Sequence, residues 1–238
     1  MKGTTPQGAR SEREAAAWVR DMFGRVAPRY DLANHLLSFN VDRYWRAHTV
    51  ARVRNVLARP EARVLDICCG TGDLVRALQR EHPSVMGSDF CHPMLVAAKA
   101  KVGGSPLFEA DALHLPLADA SLDLITVAFG FRNLANYDAG LREMRRVLRP
   151  GGMAAILEFS QPPNKLFGAF YNFYSRRILP MVGGALSGSR DAYTYLPESV
   201  RKFPAPEQLA EMMRAAGFDH IEFERLTLGI VALHVGTG

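Results

Sequence analysis

The chain has 238 residues, 48% of them hydrophobic, which suits one domain of moderate size with a sizeable buried core. Three cysteines are too few for a disulfide framework, so we expect a reducing compartment. The first ten residues contain no apolar stretch typical of a secretory signal, and no apolar run approaches the roughly 18 residues that cross a bilayer. We therefore expect a cytoplasmic protein.

The charge of the chain is moderately basic. The formal net charge is +5, and the basic residues are spread along the chain without a block of five like charges. We therefore expect no concentrated basic face for nucleic acid. Two interpretations stay open: a solvated surface of mixed charge, and attraction to an anionic membrane surface.

Three helical segments precede the first predicted strand. Ser11 followed by Glu14 has the spacing of a capping box, which predicts that a helix begins there. Further helices are predicted over about 31–37 and 42–57. We therefore expect a helical cap over residues 1–60.

Strands and helices alternate in the rest of the chain. Short apolar strands are predicted at ARVLDI, SVMGSD, PLFEAD, LDLITVAF and MAAILEF, with helical patterns between most of them. Such alternation builds a parallel, doubly wound α/β sheet, so residues 61–238 should form one Rossmann-like unit. The alternation lapses over about 161–203, an insertion that we expect to cover a substrate. The final HIEFERLTLGIVALHVG predicts two antiparallel strands at the sheet edge.

The segment DICCGTGD follows the first predicted strand, and doubly wound sheets bind ligands at the carboxyl ends of their strands. Gly70 and Gly72 allow a tight turn and a close approach of the backbone to a ligand. Asp66, at the end of the strand, can hold this turn. Asp89 ends the second predicted strand, where a carboxylate can accept hydrogen bonds from both hydroxyls of a ribose.

Two cofactor classes use this geometry. A dinucleotide requires Gly-x-Gly-x-x-Gly, but Val75 stands at the third glycine position. Asp73, at the helix N-terminus, would also repel a pyrophosphate. S-adenosylmethionine has no phosphate and carries a cationic sulfonium, so the carboxylates favour it over NAD. Asp111, after the third strand, can meet the adenine amino group, and Ala112 can supply a backbone contact. The alternative is that these aspartates only cap turns.

Several motifs are shared with a known family. The Gly loop and RVLRPGG occur in many methyltransferases, whereas YDLAN, FGFRN, EFSQP and YLPESV are together more specific. On these motifs the chain resembles, over most of its length, the ubiquinone/menaquinone biosynthesis C-methyltransferases. The resemblance implies a class I S-adenosylmethionine-dependent methyltransferase fold and C-methylation of a prenylated hydroquinone. Demethylmenaquinol is the first choice of substrate and a ubiquinone precursor the second. The alternatives are another small-molecule or RNA methyltransferase and a lipid-binding protein without catalysis.

The resemblance also assigns cofactor contacts. Four residues are carried over in this way: Thr71, Asp89, Asp111 and Ala112. The chain departs from the family at Cys68 and Cys69, where relatives have small residues, and we expect these thiols to fit without new chemistry. It also has Ala128 where relatives place Ser, so one hydroxyl contact is absent.

FGFRN places Arg132 and Asn133 just beyond the fourth predicted strand, beside the sulfonium in this fold. A group that stabilises the phenolate of the substrate ring would help methyl transfer to carbon. We predict that Arg132 holds this phenolate or an activating water, because it stays protonated at neutral pH. Asn133 is predicted to fix a ring oxygen. The alternative is that the side chains of Arg132 and Asn133 only stabilise this loop. Asp31 is a candidate base, with a plain helix cap as the alternative, and Tyr195 is a candidate wall of the ring pocket. The cysteine spacing matches no zinc pattern, so we expect no metal.

The segment KLFGAFYNFYSRRILP has an apolar stripe and a basic end. Its stripe, formed by Leu166, Phe170 and Phe173, predicts a helix that lines a groove for the prenyl tail or lies on a bilayer. Packing against the sheet is the alternative. The predicted partners are a prenylated quinol and the membrane surface, through about 165–180. We expect no nucleic acid, and a homodimer remains an open alternative.

Overall fold

Seven strands form the sheet at the centre of the fold: β1 (Val64–Ile67), β2 (Val85–Asp89), β3 (Leu107–Glu109), β4 (Leu122–Ala128), β5 (Leu148–Phe159), β6 (Asp219–Leu226) and β7 (Val231–Thr237). Their order across the sheet is β3-β2-β1-β4-β5-β7-β6. The strands from β3 to β5 pair in parallel, whereas β7 is antiparallel to both β5 and β6. The predicted doubly wound sheet with a final antiparallel pair is thus confirmed.

The computed structural model describes residues 3–6, 8–27, 30–178, 181 and 190–238. Its α-helices are α1 (Glu12–Val26), α2 (Tyr30–Leu37), α3 (Val41–Arg52), α4 (Arg54–Leu57), α5 (Asp73–Leu78), α6 (His92–Val102), α7 (Tyr137–Val147), α8 (Lys165–Phe173), α9 (Arg190–Lys202) and α10 (Pro206–Ala215). None of these described helices is both long and apolar enough to cross a membrane.

Both faces of the sheet are covered, which explains why its central strands are apolar on both sides. All four residues of β1 are buried. Helices α3 to α6 contribute to the apolar core on one face, and α7 and α10 contribute to the core on the other. The sheet is therefore rigidly enclosed, and its strand ends can position side chains accurately.

The N-terminal helices follow the prediction with two differences. The Ser11 hydroxyl accepts the backbone N–H of Glu14 at 3.2 Å, as expected for the cap of α1. The Glu14 carboxylate, however, accepts the N–H of Arg10 at 2.8 Å, so the reciprocal half of the box is shifted by one residue. The predicted third helix is divided at Val53 into α3 and α4.

Two further boundaries differ from those predicted. Strand β3 ends at Glu109, so Asp111 lies in the following turn and not in the strand. Strand β5 begins at Leu148, directly after α7, and therefore includes the Arg-Pro-Gly-Gly segment that precedes the predicted strand MAAILEF. In the insertion, α8 is followed by a π-helical turn at Tyr174–Ile178. The parts of the predicted insertion at 179–180 and 182–189 lie outside the described residues.

Candidate active site

A cavity of about 650 Å³ lies at the carboxyl ends of β1, β2 and β4. The strand order reverses between β1 and β4, and doubly wound sheets bind ligands at this point. Helices α1 to α3, α8 and α9 supply further walls, which are mostly apolar. The cavity brings together most of the site residues predicted from sequence: Asp66, Gly70, Thr71, Asp89, Asp111, Ala112, Arg132, Asn133 and Tyr195.

The loop between β1 and α5 needs glycine at two positions. The backbone φ is +55° at Gly70 and +84° at Gly72, and residues with a side chain rarely adopt these positive values. A Cβ on Gly72 would also lie 2.6 Å from Val102 Cγ1. A Cβ on Gly70 would meet no protein atom within 4 Å, and Gly70 lines the cavity. The backbone at Gly70 is therefore open to close approach by a ligand.

Asp89 holds this loop from the neighbouring strand β2. One carboxylate oxygen accepts the N–H of Gly70 at 2.8 Å, and the other accepts the N–H of Cys91 at 2.9 Å. Asp89 is buried, and burial raises its pKa to about 6. Because a carboxylate has roughly four lone-pair sites, it can accept further hydroxyl donors from the cavity. This geometry fits the ribose of a nucleoside cofactor.

Asp66 lies buried beneath the loop, at the end of β1. The Thr126 hydroxyl donates a hydrogen bond of 2.7 Å to its carboxylate. Burial raises the pKa of Asp66 to about 7, although Thr126 and the charge of Arg46 act in the opposite direction. A cation bound in the cavity would therefore favour its charged form.

Asp111 and Ala112 line the cavity from the turn after β3. The Asp111 carboxylate accepts the N–H of Leu113 at 2.9 Å, which explains why the chain turns there. The Asp111 side chain is half exposed, whereas Ala112 is buried. Their predicted contact with adenine stays a prediction.

The hydroxyl of Thr71, in the Gly loop, donates a hydrogen bond to the carboxylate of Asp31 on α2. The ammonium of Lys101 lies 2.6 Å from Asp31 Oδ2 and 3.2 Å from Thr71 Oγ1. Asp31 is not among the described residues that line the cavity. This arrangement favours a role for Asp31 in fastening α2 to the loop over its predicted role as a base.

Arg132 lies in the 3₁₀ turn Phe131–Asn133 that follows β4, and it is buried. Its Nη1 lies 2.9 Å from Glu158 Oε1, and its backbone N–H donates to Glu158 Oε2 at 3.1 Å. Burial lowers the pKa of Arg132, but Glu158 raises it, and the net pKa is above its ordinary value. The guanidinium therefore stays charged although it is enclosed.

Glu158 was not among the site residues predicted from the sequence. The available signal was a single acidic residue near the end of the otherwise apolar strand MAAILEF. A charge at such a position is costly unless it is paired, so it predicts a buried cation nearby.

Asn133 and Tyr195 are in direct contact although 62 residues separate them in sequence. The Tyr195 hydroxyl donates to Asn133 Oδ1 at 3.0 Å and lies 2.6 Å from the hydroxyl of Thr4. Burial raises the pKa of Tyr195. Both residues line the cavity, so α9 and the turn after β4 form one polar wall.

Three aromatic rings that the sequence patterns did not single out form an apolar wall beside Arg132, whose guanidinium lies 5.3 Å from the centroid of the Phe159 ring. Ring centroids lie 5.8 Å apart for Trp45 and Phe129, 6.1 Å for Trp45 and Phe159, and 4.7 Å for Phe129 and Phe159. All three side chains line the cavity. Such a cluster can hold a flat ring by stacking or edge contacts.

Two residues with a strained backbone lie at the carboxyl ends of the strands that border the cavity. The non-glycine residues Cys68 and Phe129, which follow β1 and β4, have φ values of +50° and +61°. A Cβ on the next residue, Gly130, would lie 2.4 Å from the Cβ of Cys68. Non-glycine residues with positive φ are frequent at functional sites, and here both of them line the cavity.

Comparison with known proteins places the chain in a family. Residues 8–238 match the ubiE/COQ5 methyltransferase family. A demethylmenaquinone methyltransferase of Thermus thermophilus is 49% identical over 90% of this chain and 99% of its own length. One of Deinococcus radiodurans is 48% identical over 97% of this chain and 96% of its own. A ubiquinone/menaquinone biosynthesis C-methyltransferase UbiE of Geobacter sulfurreducens is 42% identical over 92% and 87%. The chain belongs to the ubiE/COQ5 methyltransferase family, as its motifs predicted.

Solved structures share the fold at low sequence identity. An S-adenosylmethionine-dependent methyltransferase of Thermotoga maritima has a TM-score of 0.65 at 21% identity and covers 91% of this chain and 98% of its own. The [4+2]-cyclase SpnF has a TM-score of 0.68 at 17% identity, with 98% of both chains covered. The predicted Rossmann-like fold is thus confirmed. Because one neighbour is a cyclase, the fold alone does not define the reaction.

Replacing Asp66 by Asn should change how stability depends on pH. The carboxyl has a pKa of about 7 when folded and about 3.9 when unfolded. The folded state therefore binds more protons between these values, and Asp66 reduces stability as the pH rises through this window. Between pH 5 and 8, the unfolding free energy of the unliganded wild type should fall by up to about 3 kcal/mol relative to Asp66→Asn.

Urea unfolding at a series of pH values measures this difference. The exposed Asp119→Asn variant is the control and should follow the wild type. Parallel curves for wild type and Asp66→Asn would show that Asp66 does not ionise in this range.

Proposed function

We propose that this chain is an S-adenosylmethionine-dependent C-methyltransferase that converts demethylmenaquinol to menaquinol, with a ubiquinone precursor as the second choice of substrate. The observation that carries the proposal is 48–49% identity, over nearly the whole chain, to two demethylmenaquinone methyltransferases. Three relatives named for both quinones are 40–44% identical. This difference favours the menaquinone substrate.

The cofactor side of the cavity is formed by the Gly loop and the tips of β1 and β2. We assign Asp89 to the ribose hydroxyls, because its buried carboxylate faces the cavity with lone pairs available. The open backbone at Gly70 allows the nucleoside to lie against the loop. Asp111 and Ala112 are assigned to the adenine. When bound, S-adenosylmethionine supplies a methyl group on a sulfonium for transfer to a ring carbon.

The substrate side is formed by the turn after β4 and by the aromatic wall. Arg132 lines the cavity, whereas its partner Glu158 is not among the described lining residues. The cavity therefore faces the positive end of this ion pair. A hydroquinone hydroxyl that loses its proton to solvent beside Arg132 would leave more electron density on the neighbouring ring carbon. That carbon would accept the methyl group as the bond between methyl and sulfur breaks, S-adenosylhomocysteine would leave, and the displaced ring proton would pass to solvent. The rings of Trp45, Phe129 and Phe159 would hold the substrate ring in place and exclude water.

We further propose that the helices within residues 1–60 act as a cap on the cofactor cavity. Helices α1, α2 and α3 contribute side chains to its lining. The contacts of Asp31 with Thr71 and Lys101 fasten α2 to the Gly loop. Closing the site in this way would keep water from the reacting groups.

The prenyl tail of the proposed substrate would need an apolar path from a membrane to the cavity. The predicted stripe on α8 is exposed and does not pack against the sheet: Leu166 is 84% exposed, Phe170 68% and Phe173 60%. The sequence from 161 to 190 contains four basic residues and no acidic residue. Phe170 also lines the cavity. We propose that α8 lies on an anionic bilayer surface and passes the tail inward.

A methyl-transfer assay tests the proposed reaction. Labelled S-adenosylmethionine is incubated with demethylmenaquinol or with a demethylated ubiquinol precursor, each in vesicles, and the products are identified by mass. We expect a gain of one methyl group on demethylmenaquinol, at a higher kcat/KM than on the ubiquinone precursor. No transfer to either quinol would refute the proposal.

Changing Arg132 should slow turnover more than it weakens cofactor binding, because its charge acts on the substrate ring. Arg132→Lys keeps a cation but loses the planar geometry, and we expect a kcat about 10- to 100-fold lower. The dissociation constant for S-adenosylhomocysteine should stay within about twofold of wild type.

The double variant Arg132→Met/Glu158→Gln is a control for misfolding, because it removes both charges of the buried ion pair and leaves neither one unpaired. It should fold, bind S-adenosylhomocysteine and lose at least about 100-fold in kcat. Wild-type turnover by either variant would remove Arg132 from the reaction.

Replacing Phe170 and Phe173 together by Ser should reduce co-sedimentation with anionic vesicles, because both rings leave water on binding. The matched control is Val96→Ser on α6, where Val96 is 60% exposed on a different element. Turnover of a substrate with a short tail should be unchanged in both variants. Undiminished co-sedimentation of the double variant would show that this helix does not contact lipid.

A further inference from the structure

The cavity contains several carboxylates near the Gly loop and few cations. Among the described residues that line it, the cationic side chains are those of Arg46, Arg132 and Arg201. The methionine end of S-adenosylmethionine carries an α-carboxylate and an α-ammonium in addition to the sulfonium. The acidic strand ends suit the cationic groups, whereas the carboxylate requires a cationic partner.

Two of the three arginines are poorly placed for this task. Arg132 is already paired with Glu158, which also accepts its backbone N–H. Arg201 is exposed on α9, and its backbone carbonyl accepts a hydrogen bond from Gln161 in the wall after β5. Neither one contacts the loop that begins the cofactor site. Arg46 remains.

Arg46 reaches the Gly loop from α3, with a side chain that is only 13% exposed. Its Nη2 lies 3.6 Å from Oδ2 of Asp73, the residue that follows Gly72 at the start of α5. Its guanidinium also lies over the ring of Phe129, 5.4 Å from the centroid. Arg46 therefore lies between the Gly loop and the end of β4, the two segments that flank the cofactor.

The guanidinium is hydrogen-bonded through one terminal nitrogen, whereas the other lies within ion-pair distance of Asp73. Its Nη1 donates to Asp42 Oδ2, and Asp42 is fixed in turn by the Ser38 hydroxyl at 2.7 Å and by His35 Nδ1 at 2.8 Å. Within the described residues, Nη2 forms no hydrogen bond. An arginine that is hydrogen-bonded through one terminal nitrogen still has donors on the other, and these can bind a carboxylate.

We propose that Arg46 binds the α-carboxylate of S-adenosylmethionine, a role that rests on the cofactor part of the proposed function. The acidic strand ends suit the ammonium of a zwitterionic ligand while Arg46 meets its carboxylate. Asp73 is already paired with Lys101, whose Nζ lies 2.5 Å from Asp73 Oδ1. The helical cap would then complete the cofactor site in addition to covering it.

The test compares two ligands that differ only in this carboxylate. Binding of S-adenosylmethionine and of decarboxylated S-adenosylmethionine is measured by calorimetry on the full chain. Wild type should bind S-adenosylmethionine at least tenfold more tightly than the decarboxylated ligand. Arg46→Met should lose at least tenfold in affinity for S-adenosylmethionine and less than twofold for the decarboxylated ligand. The affinity of Arg46→Lys for S-adenosylmethionine should lie between those of wild type and Arg46→Met.

Two controls separate binding from folding. Arg52→Met removes an arginine of the same helix that pairs with Glu222 on β6, and it should bind both ligands as wild type does. Arg46→Met/Asp42→Asn leaves no unpaired carboxylate at the anchor and should show the same selective loss as Arg46→Met.

The outcomes are distinct. An equal loss for both ligands would overturn the inference and leave Arg46 as a residue that only fastens α3 to the loop. Failure of wild type to bind S-adenosylmethionine at all would instead overturn the cofactor assignment, and the inference with it.

Discussion

The site depends on one buried carboxylate that joins two strands. Asp89, at the end of β2, accepts the N–H groups of Gly70 and Cys91, so the turn after β1 and the start of α6 are held to the same side chain. Burial makes its ionised form costly, as the raised pKa shows. A ligand that donates hydrogen bonds to this carboxylate recovers part of that cost. The geometry that holds the loop therefore also favours cofactor binding.

Ion pairs and hydrogen bonds fix other parts of the cavity. The buried ion pair of Arg132 and Glu158 places a permanent cation beside an aromatic wall, and the contacts of Asp31, Thr71 and Lys101 join the N-terminal helices to the loop. A nucleoside can lie at one end of such a cavity and a flat ring at the other. The proposed methyl transfer needs this proximity more than it needs a strong base.

Family membership and fold carry different information here. The near full-length match to demethylmenaquinone methyltransferases supports a specific reaction. The shared fold does not, since a [4+2]-cyclase has a similar structure. The exposed apolar stripe on α8 lies in a segment of the sequence, 161–190, that contains basic residues and no acidic residue, which supports the proposed contact with an anionic bilayer.

The sequence by itself determined the order of strands and helices, the glycine loop and the acidic strand ends, because these depend on local periodicity and on residues adjacent in the chain. It did not reveal Glu158 opposite Arg132, the contact of Tyr195 with Asn133, or Arg46 beside Asp73, because these pairs are distant in sequence. It left open whether Asp31 is a base or a helix cap, and it did not reveal that Lys101 lies 2.6 Å from the Asp31 carboxylate. Only tertiary packing decides which distant charges meet, since a buried charge must find its partner wherever the fold supplies one.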